Sequence, residues 1–478
     1  MSVSGIIKVV QDIMRQDAGV DGDAQRISQL VWMIFIKIFD AKEEEWELLE
    51  KDYTSVIPEK LRWRNWAIDD EGITGDELMN FINNELFPQL KDLPIDETSD
   101  RRKMIVRAVF EDSYNYMKSG TLMRQVINKL NQIDFQTQKE RHLFNDIYEK
   151  ILRDLQSAGN AGEYYTPRPV TQFIVDIVNP QIGETVLDPA CGTGGFLICA
   201  LENMRKQVKN VDDENRLQKS IIGIEKKPMP HMLAMTNMIL HDIDAPRVRH
   251  DNSLAKNVRE YKPADRVDVI VTNPPFGGIE EDGIELNVPV GFRTRETADL
   301  FLVLMMHLLK DRGRAGLVLP DGFLFGEGVK TNIKKELLEN FNLHTIVRLP
   351  NGVFEPYTGI KTNLLFFDKK GTTKEIWYYE HPLPEGYKKY TKTKPIRHEE
   401  FKPEKEWWDN RVENDYAWKV SIDEIKKRNY NLDIKNPIVE DLSYGDPEEL
   451  LEMYNKHQSE LQEYRNQLKE ELQKELVR

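Results

Sequence analysis

The feature that most constrains the fold is an alternation of short β-rich runs with helical stretches, which begins near residue 160. This alternation is typical of a mostly parallel sheet wound with helices. The runs that read as buried strands are Thr185–Leu187, Ile221–Ile224, Val267–Val271, Ala315–Leu319, His344–Leu349 and Asn363–Phe367. Parallel strands bring their carboxyl ends to one edge of a sheet, so a binding site is expected among the residues that follow these runs.

The chain before this alternation reads as helical, and we predict a helical domain at 1–150 that contacts DNA or other subunits. Apolar residues recur there at three- and four-residue steps, which lines one face of a helix. These residues are Ile27, Leu30, Val31, Ile34 and Ile38. Asp23 is a candidate N-cap, the acidic run 43–45 a candidate solvated helix end, and Trp63 and Trp66 candidate packing residues.

The end of the chain divides into an irregular stretch and a predicted helix. Residues 370–440 are rich in Lys, Pro and aromatic residues and are predicted to be an irregular part of a domain at 151–440. Asp446–Glu449 then forms a good helix start, with a cap, a proline and acidic residues in the first turn. Apolar residues follow at spacings near three, four or seven: Leu450, Tyr454, Leu461, Tyr464, Leu468, Leu472 and Leu476. An amphipathic helix at 441–478 would pack against a partner subunit or against its own chain.

Charge and composition exclude several classes of protein. The net charge of −15 argues against a chain that wraps nucleic acid over most of its surface, although a local basic groove is compatible with it. No apolar run approaches the roughly 18 residues of a membrane span. Only Cys191 and Cys199 occur, which gives neither a disulfide framework nor a Cys-based zinc site. We therefore expect a cytoplasmic protein with no membrane segment and no metal.

A glycine loop between a predicted strand and a helix is the first candidate site. Gly192, Thr193, Gly194 and Gly195 stand there, and glycines let a backbone turn sharply and approach a ligand closely. The pattern alone is weak, because many nucleotide-binding folds use it and a tight strand-to-helix turn would look the same.

Two acidic residues narrow the class of ligand. Asp188 ends the first strand, where it would repel a pyrophosphate but suit a cation. Glu225 ends the second strand, where a carboxylate can accept both hydroxyls of a ribose, although it could also be a surface residue. S-adenosylmethionine carries a sulfonium and an ammonium and no phosphate. The acids therefore favour S-adenosylmethionine over a dinucleotide.

The strongest motif is Asn273-Pro274-Pro275-Phe276, directly after a buried strand at the same predicted sheet edge. The exocyclic nitrogen of adenine is a poor nucleophile, because its lone pair is delocalised into the ring. The side-chain oxygen of Asn273 and the carbonyl of Pro274 could accept its hydrogens and stabilise the charge that develops during attack. The prolines stiffen the loop, and Phe276 could stack on a base taken out of the duplex. An Asn-Pro-Pro turn that merely ends a strand is the structural alternative.

These motifs together resemble an amino-group DNA methyltransferase, and more specifically the modification subunit of type I restriction–modification systems. The resemblance rests on Gly162–Arg168 (GEYYTPR), the loop DPxxGTGGF and the NPPF motif. Further segments that resemble the family are Leu319–Gly322, Leu349–Phe354 and Tyr357–Gly359. The resemblance spans most of the chain, including its helical N-terminal part.

The resemblance implies a class I S-adenosylmethionine-dependent methyltransferase fold, a Rossmann-like doubly wound α/β sheet, and methylation of adenine N6 in double-stranded DNA. It implies two such subunits with one specificity subunit, which a nuclease–translocase subunit can join. The residues it implies at the methionine end of the cofactor are Glu163, Tyr164, Tyr165, Thr166, Pro167 and Arg168. Asp188 and Thr193–Gly195 would lie beneath the cofactor, and Glu225 would hold its ribose. Either Asp251 or Asn252 would contact its adenine.

Three other functions remain as alternatives at this point. A protein glutamine methyltransferase also uses an Asn-Pro-Pro motif, but those enzymes are shorter and end the motif with Tyr, where this chain has Phe276. An RNA adenine methyltransferase and a non-catalytic assembly scaffold are the other two. A basic cluster is either a phosphate-contacting patch or a solvated loop. It consists of Lys388, Lys389, Lys392, Lys394 and Arg397.

Overall fold

The computed structural model describes residues 3–135 and 165–437, together with seven residues between Tyr454 and Asn466. Its first compact unit is Met1–Ile434, which holds both the helical N-terminal part and the sheet. The second unit is Lys435–Arg478. The predicted domain boundary near residue 150 lies outside the described residues, as do Glu163 and Tyr164.

The N-terminal part is built from helices, as predicted. They are α1 (Val3–Met14), α2 (Asp23–Leu49), α3 (Trp63–Trp66), α4 (Gly75–Phe81), α5 (Phe87–Lys91), α6 (Arg101–Glu111) and α7 (Gly120–Leu130), with a π-helical segment, Ile82–Leu86, between α4 and α5. The five periodic apolar residues of α2 are all buried. Trp63 and Trp66 are also buried and meet edge to face, with ring centroids 5.2 Å apart.

Two predictions about the ends of α2 are wrong. Gly22 is the N-cap, without a side-chain cap, and Asp23 is the first helical residue. The acidic run is not a solvated end, because the helix continues to Leu49 and Glu43 is fully buried. Its Oε1 accepts hydrogen bonds from the Tyr53 hydroxyl and, among others, the backbone N–H of Val56. The acidic run alone does not predict that the later segment 53–57 packs over Glu43.

A nine-stranded mixed sheet forms the rest of the first unit, in the order β3-β2-β1-β4-β5-β7-β6-β8-β9. The strands are β1 (Val186–Asp188), β2 (Ile221–Glu225), β3 (Arg247–His250), β4 (Val267–Thr272), β5 (Leu309–Pro320), β6 (Asn342–Arg348), β7 (Thr362–Asp368), β8 (Glu375–Glu380) and β9 (Ala417–Ser421). Strands β1 to β5 pair in parallel, whereas β7 runs antiparallel to both β5 and β6. Strand β8 is parallel to β6, and β9 is antiparallel to β8. All six predicted strands are present.

Helices cover this sheet on both faces, because neighbouring residues of its strands enter two different hydrophobic clusters. Val186 packs in one cluster and Leu187 in the other, and Leu364 and Leu365 divide in the same way. The cluster that holds Val186 continues into the N-terminal helices. The helices of this part are α8 (Arg168–Val178), α9 (Gly195–Arg205), α10 (Val211–Ser220), α11 (Pro228–Leu240), α12 (Thr297–Leu308), α13 (Asp321–Phe325), α14 (Val329–Asn340), α15 (Lys402–Asp409) and α16 (Ile422–Lys427).

Residues 370–437, the described part of the stretch 370–440, are more regular than predicted, because β8 and β9 extend the sheet there. Tyr378 and Trp418 face each other across the two strands, and their rings stack with centroids 5.3 Å apart. Such aromatic cross-strand pairs stabilise a sheet. Four aromatic residues of this stretch, Trp377, Tyr378, Tyr379 and Trp418, therefore belong to its strands.

The predicted C-terminal helix lies largely outside the described residues, including Asp446–Glu449, Leu450, Leu468, Leu472 and Leu476. Tyr454, Leu461 and Tyr464 are helical and exposed. Within the described part of the chain, no helix combines the length and the apolar character that crossing a membrane requires.

Candidate active site

The carboxyl ends of three adjacent parallel strands, β1, β2 and β4, bring the predicted site residues together. A cavity of about 360 Å³ lies at this edge, within the range of about 300–1,000 Å³ that is usual for ligand pockets. The predicted residues that line it are Thr166, Asp188, Gly192, Thr193, Gly195, Glu225, Asn273 and Pro275. The motifs that are distant in sequence thus share one cavity.

The glycine loop turns the chain from β1 into α9. Gly192 and Gly194 have φ angles of 52° and 85°, which favour glycine over residues with a Cβ. Gly194 is the N-cap of α9, and a Cβ added there would lie 3.4 Å from the Cβ of Ala234. The backbone N–H of Gly192 donates to Oε2 of Glu225 over 2.9 Å. The loop is therefore held against the end of β2.

Asp188 is buried at the end of β1, beside the cavity. Its Oδ1 accepts a hydrogen bond from the Thr272 hydroxyl over 2.7 Å and another from the backbone N–H of Ala190 over 3.0 Å. Burial, with a smaller contribution from the nearby carboxylate of Glu225, raises the pKa of Asp188 to about 7, although the hydrogen bonds from Thr272 and Ala190 oppose the rise. A cation in the cavity would favour the ionised form of this residue.

Glu225 lies at the corresponding end of β2. Its Oε1 accepts a hydrogen bond from the backbone N–H of Lys227 over 2.8 Å. Burial raises the pKa of Glu225, while the hydrogen bonds from Lys227 and Gly192 oppose that rise. Two buried acids on adjacent strands make this end of the cavity a poor place for a phosphate.

Asn273 is held by the segment that begins α8. Its Nδ2 donates to Oγ1 of Thr166 over 2.9 Å, a contact between residues 107 positions apart. Its Oδ1 is buried and has no hydrogen-bond partner. An unpartnered buried acceptor is costly, which makes such an atom a candidate for binding a ligand's N–H group.

The rest of the NPPF motif differs from residue to residue in its burial and in its relation to the cavity. Pro274 is buried, and Pro275 is exposed and lines the cavity. Phe276 is half-buried, and its ring meets that of Phe354 edge to face, with centroids 5.8 Å apart. Phe354 stands in the loop after β6, which belongs to one of the segments that resembled the family. Pro274, Phe276 and Phe354 are not among the residues that line the cavity.

Other predicted residues lie near the cavity without lining it. Tyr165 is buried, and Pro167 is the N-cap of α8. The guanidinium of Arg168 donates to the carbonyl of Gly195 over 3.1 Å and to Glu202 over 2.9 Å, which braces the glycine loop from the side of α9. Asp251 and Asn252 follow β3, and the backbone N–H of Asp251 donates to the carbonyl of Glu225 over 3.0 Å. Their roles toward a cofactor stay predictions.

The structure adds residues that the motifs did not reveal. Lys226 donates to Glu280 over 3.3 Å and to Glu281 over 3.2 Å, and all three line the cavity. Thr297, at the start of α12, donates to the other oxygen of Glu280 over 3.3 Å. Lys226 directly follows β2, Glu280 and Glu281 lie a few residues after the NPPF motif, and Thr297 comes later, at the start of a helix. No sequence pattern identified these residues, and only the positions of Lys226, Glu280 and Glu281 shortly after a predicted strand or motif could have indicated that they belong to the site.

The cavity fits S-adenosylmethionine better than a dinucleotide. Asp188 and Glu225 offer buried carboxylates to a cation and to ribose hydroxyls, and the glycine loop lets the backbone approach closely. No cluster of His, Cys, Asp or Glu that could hold a metal ion occurs among the described residues. Both cysteines are buried, as expected for small core residues.

Comparisons with known proteins identify the family. The profile described as "N-6 DNA Methylase" matches residues 139–443, and that described as "HsdM N-terminal domain" matches residues 4–130. The EcoEI type I restriction enzyme methylase subunit of Escherichia coli is 59% identical over 98% of this chain and 97% of its own length. The EcoKI methylase subunit of Escherichia coli K12 is 29% identical over 79% of this chain and 70% of its own length.

Solved structures agree with these sequence matches. A modification subunit from Vibrio vulnificus YJ016 has a TM-score of 0.84 and 46% identity, over 91% of this chain and 98% of its own. A chain from a study of assembly and conformational transition in the type I R-M system has a TM-score of 0.83 and 38% identity, over 99% of this chain and 98% of its own. The chain belongs to the N-6 DNA methylase family, and within it to the methylase subunits of type I restriction enzymes.

Proposed function

We propose that this chain transfers a methyl group from S-adenosylmethionine to the N6 amino group of adenine in double-stranded DNA, as the modification subunit of a type I restriction–modification complex. The observation that carries the proposal is the buried, unpartnered Oδ1 of Asn273 beside the cavity. Family membership supports DNA as the substrate over RNA or a protein glutamine, and an enzyme over a silent scaffold.

Asn273 would act on the target base as a hydrogen-bond acceptor. Its Oδ1 would take one hydrogen of the adenine NH₂ group, and the carbonyl of Pro274 would take the other. Neither acceptor needs to be a strong base, because both act by stabilising positive charge that develops on the nitrogen. Thr166 holds the other end of the amide, which fixes the side chain before the base arrives.

The aromatic pair Phe276 and Phe354 would form the wall against which the extruded base rests. An adenine inside a duplex cannot reach a cavity at a sheet edge, so it must leave the base stack. Stacking on an aromatic ring offsets part of the cost of unstacking, at about 1–3 kcal/mol per base. Because Phe276 follows Asn273 so closely, the same loop would grip both the face and the edge of the base.

The cofactor supplies an activated methyl group on a positively charged sulfur. Asp188 would offer its buried carboxylate to the positive charge, and Glu225 would accept hydroxyls of the ribose. Gly192–Gly195 would let the backbone lie close to the cofactor. Glu163–Arg168 and Asn252 (or Asp251) remain proposed contacts to its methionine and adenine ends.

The proposed partners are double-stranded DNA, a second copy of this subunit and a specificity subunit that reads the DNA site, with a nuclease–translocase subunit able to join. The acidity of the chain agrees with this division of labour, because a subunit that delegates sequence reading needs little basic surface.

Modification-sensitive sequencing of genomic DNA tests the proposal. A strain that carries the native gene is compared with one that carries Asn273→Ala. We expect N6-methyladenine to disappear from one split motif in the Asn273→Ala strain. A methylation map that is identical in the two strains, with the chain expressed, would overturn the proposed function.

A further inference from the structure

The basic cluster at 388–397 occupies a defined place on the catalytic edge of the sheet. Strand β8 is parallel to β6, and β6 runs in the same direction as β5 and β4 because β7 is antiparallel to both of its neighbours. The carboxyl end of β8 therefore lies at the same edge as Asn273. The chain continues from there into residues 386–397, which we name the basic loop.

The basic loop is locally cationic in an acidic chain. It contains Lys388, Lys389, Lys392, Lys394 and Arg397 and no acidic residue, although the whole chain carries a net charge of −15. All five side chains belong to exposed residues. The cofactor cavity at the same edge is lined by four carboxylates, from Asp188, Glu225, Glu280 and Glu281, and by only two lysines, Lys226 and Lys227, so acidic groups are in excess there. A polyanion that approaches this edge would therefore need attraction from elsewhere.

A polar cluster of Tyr390, His381, Glu400 and Glu404 anchors the basic loop to the rest of the protein. Tyr390 stands in the middle of the loop and is fully buried, with its hydroxyl donating to Glu400. The same hydroxyl lies 3.2 Å from Nε2 of His381, whose Nδ1 lies 2.5 Å from Oε1 of Glu404. Both His381 and Glu404 are buried. A purely solvated loop would not need such an anchor.

The anchored loop contacts the segment that carries Phe354. The backbone N–H of Tyr390 donates to the carbonyl of Asn351 over 3.1 Å. Gly352 lies so close that an added Cβ would be 2.1 Å from the carbonyl oxygen of Tyr390. Lys389 pairs with Glu355 over 2.7 Å, next to Phe354, which in turn meets Phe276. The basic loop is thus fixed relative to the NPPF motif through a short chain of direct contacts.

We propose that the basic loop binds the phosphate backbone of the DNA next to the target adenine and holds the duplex in register with the NPPF motif. This inference rests on the proposed function, because it takes DNA as the substrate. Phosphate contacts position a protein on a duplex without reading its sequence. That role suits a subunit whose sequence reading is proposed to lie in another chain.

The chain offers a matched control at the opposite edge of the sheet. Strand β7 runs the other way, so the connection from β7 to β8 lies at the edge remote from Asn273. Lys370 and Lys374 stand in this connection and are exposed. Neutralising them changes the net charge by as much as neutralising Lys388 and Lys392. A general electrostatic effect on DNA binding would therefore appear equally in both pairs.

The experiment compares three complexes, each purified with its co-expressed partner subunits: wild type, Lys388→Gln with Lys392→Gln, and Lys370→Gln with Lys374→Gln. Binding is measured between about 50 and 200 mM salt. The probe is an unmethylated fluorescent duplex that carries the sequence motif in which genomic sequencing finds N6-methyladenine. Each lost phosphate contact lowers the slope of log affinity against log salt by about 0.9. We expect the basic-loop variant to lose about tenfold in affinity and one to two units of slope, with cofactor affinity unchanged.

Each outcome decides the inference. Equal slopes for the basic-loop and control variants would overturn it, and so would a basic-loop variant that fails to assemble with its partner subunits, because the loop would then be a subunit contact. A wild-type complex that neither binds nor methylates the duplex would overturn the proposed function as well. A wild-type complex that methylates normally, beside a basic-loop variant with unchanged affinity and slope, would overturn only the phosphate contact.

Discussion

The helical N-terminal part and the sheet both bury carboxylates, but the two regions use them differently. In the helical part, Oε1 of Glu43 accepts hydrogen bonds from Tyr53, Ser55, Val56 and Ile57, all within one neighbouring segment. In the sheet, Asp188 and Glu225 also hold backbone N–H groups, yet both border a cavity. Burial of a charged group therefore does not by itself identify a site.

What separates the two cases is whether the polar group faces space for a ligand. Glu43 joins one part of a helical region to another, so its loss should lower stability. Asn273 has a free acceptor and a single hydrogen bond to Thr166, so its loss should spare the fold. The following changes test this contrast, from the largest expected effect to the smallest.

Asn273→Ala should reduce methyl transfer by about 10²–10³-fold, as is usual when one stabilising hydrogen-bonding group is removed from a reacting centre. Only one hydrogen bond within the protein is lost, so the free energy of unfolding should fall by no more than about 1 kcal/mol. Single-turnover rates and urea denaturation measure the two effects. Asn287→Ala is the control, because Asn287 bonds the carbonyls of Leu254 and Ala255 outside the cavity and should leave the rate unchanged.

Glu43→Ala should show the opposite behaviour. The substitution leaves the buried N–H groups of Val56 and Ile57 without their acceptor, which should cost about 3 kcal/mol of unfolding free energy. The rate per folded molecule should not change. Glu44→Ala provides the control, because the pair of Glu44 with Arg64 is partly exposed and its loss should cost less than about 1 kcal/mol. A Glu43→Ala protein that is stable but inactive would contradict the prediction that Glu43 supports the fold and takes no part in the reaction.

Asp188 should make cofactor affinity depend on pH. Its raised pKa of about 7 means that the carboxylate ionises near neutral pH, and a bound cation favours the ionised form. Affinity should therefore rise with pH, by roughly tenfold between about pH 6 and pH 8. Calorimetry at several pH values measures this rise.

The controls for this dependence are the two acid-to-amide variants. Asp188→Asn should bind weakly at every pH, whereas Glu225→Gln should keep the rise but move it to lower pH, because the Glu225 carboxylate contributes to the raised pKa of Asp188. In the ligand-free protein the same raised pKa acts against stability, because the native state holds the proton more tightly than the unfolded chain. Ionisation of Asp188 should thus lower stability as the pH rises from about 4 to about 7.

Lys226→Met should produce the smallest effect. The side chain pairs with Glu280 and Glu281 beside the cavity, and both Lys226 and Glu281 are well exposed. Pairs of this kind are worth about 0.2–1 kcal/mol, so stability should hardly change, while cofactor dissociation should accelerate about two- to fivefold. Lys60→Met breaks a comparable surface pair with Glu85 in the helical part and should leave the dissociation rate unchanged. Stopped-flow fluorescence measures the rates.

Much of the sheet could be predicted because its buried strands are short and apolar. Strand β3 was missed because its sequence, Arg247–His250, has two arginines and a histidine among four residues and lies at the sheet's edge. Strands β8 and β9 were missed because their aromatic residues gain stability only from cross-strand partners that are distant in the sequence. A local sequence pattern predicts a strand when both faces of the strand are buried, because its residues are then mostly apolar. It does not predict a strand whose stability depends on pairing with distant strands.

The site was predictable to a similar extent and for a similar reason. Asp188, Glu225 and Asn273 each follow a strand, and parallel pairing alone places them at one edge. The hydrogen bond from Asn273 to Thr166 depends on how α8 packs, which no spacing in the sequence reveals. The pairing of Lys226 with Glu280 and Glu281 is likewise a product of tertiary structure. The motifs therefore predicted which residues belong to the site, whereas the contacts between them depend on the tertiary structure.

The hydrogen bond between Thr272 and Asp188 has a thermodynamic consequence. It joins the residue next to Asn273, on the target-base side, to the carboxylate on the cofactor side. If one ligand shifts this bond, the two binding equilibria become linked. By reciprocity, the factor by which cofactor changes DNA affinity must then equal the factor by which DNA changes cofactor affinity. A single buried hydrogen bond would thereby couple the binding of the cofactor to the binding of DNA.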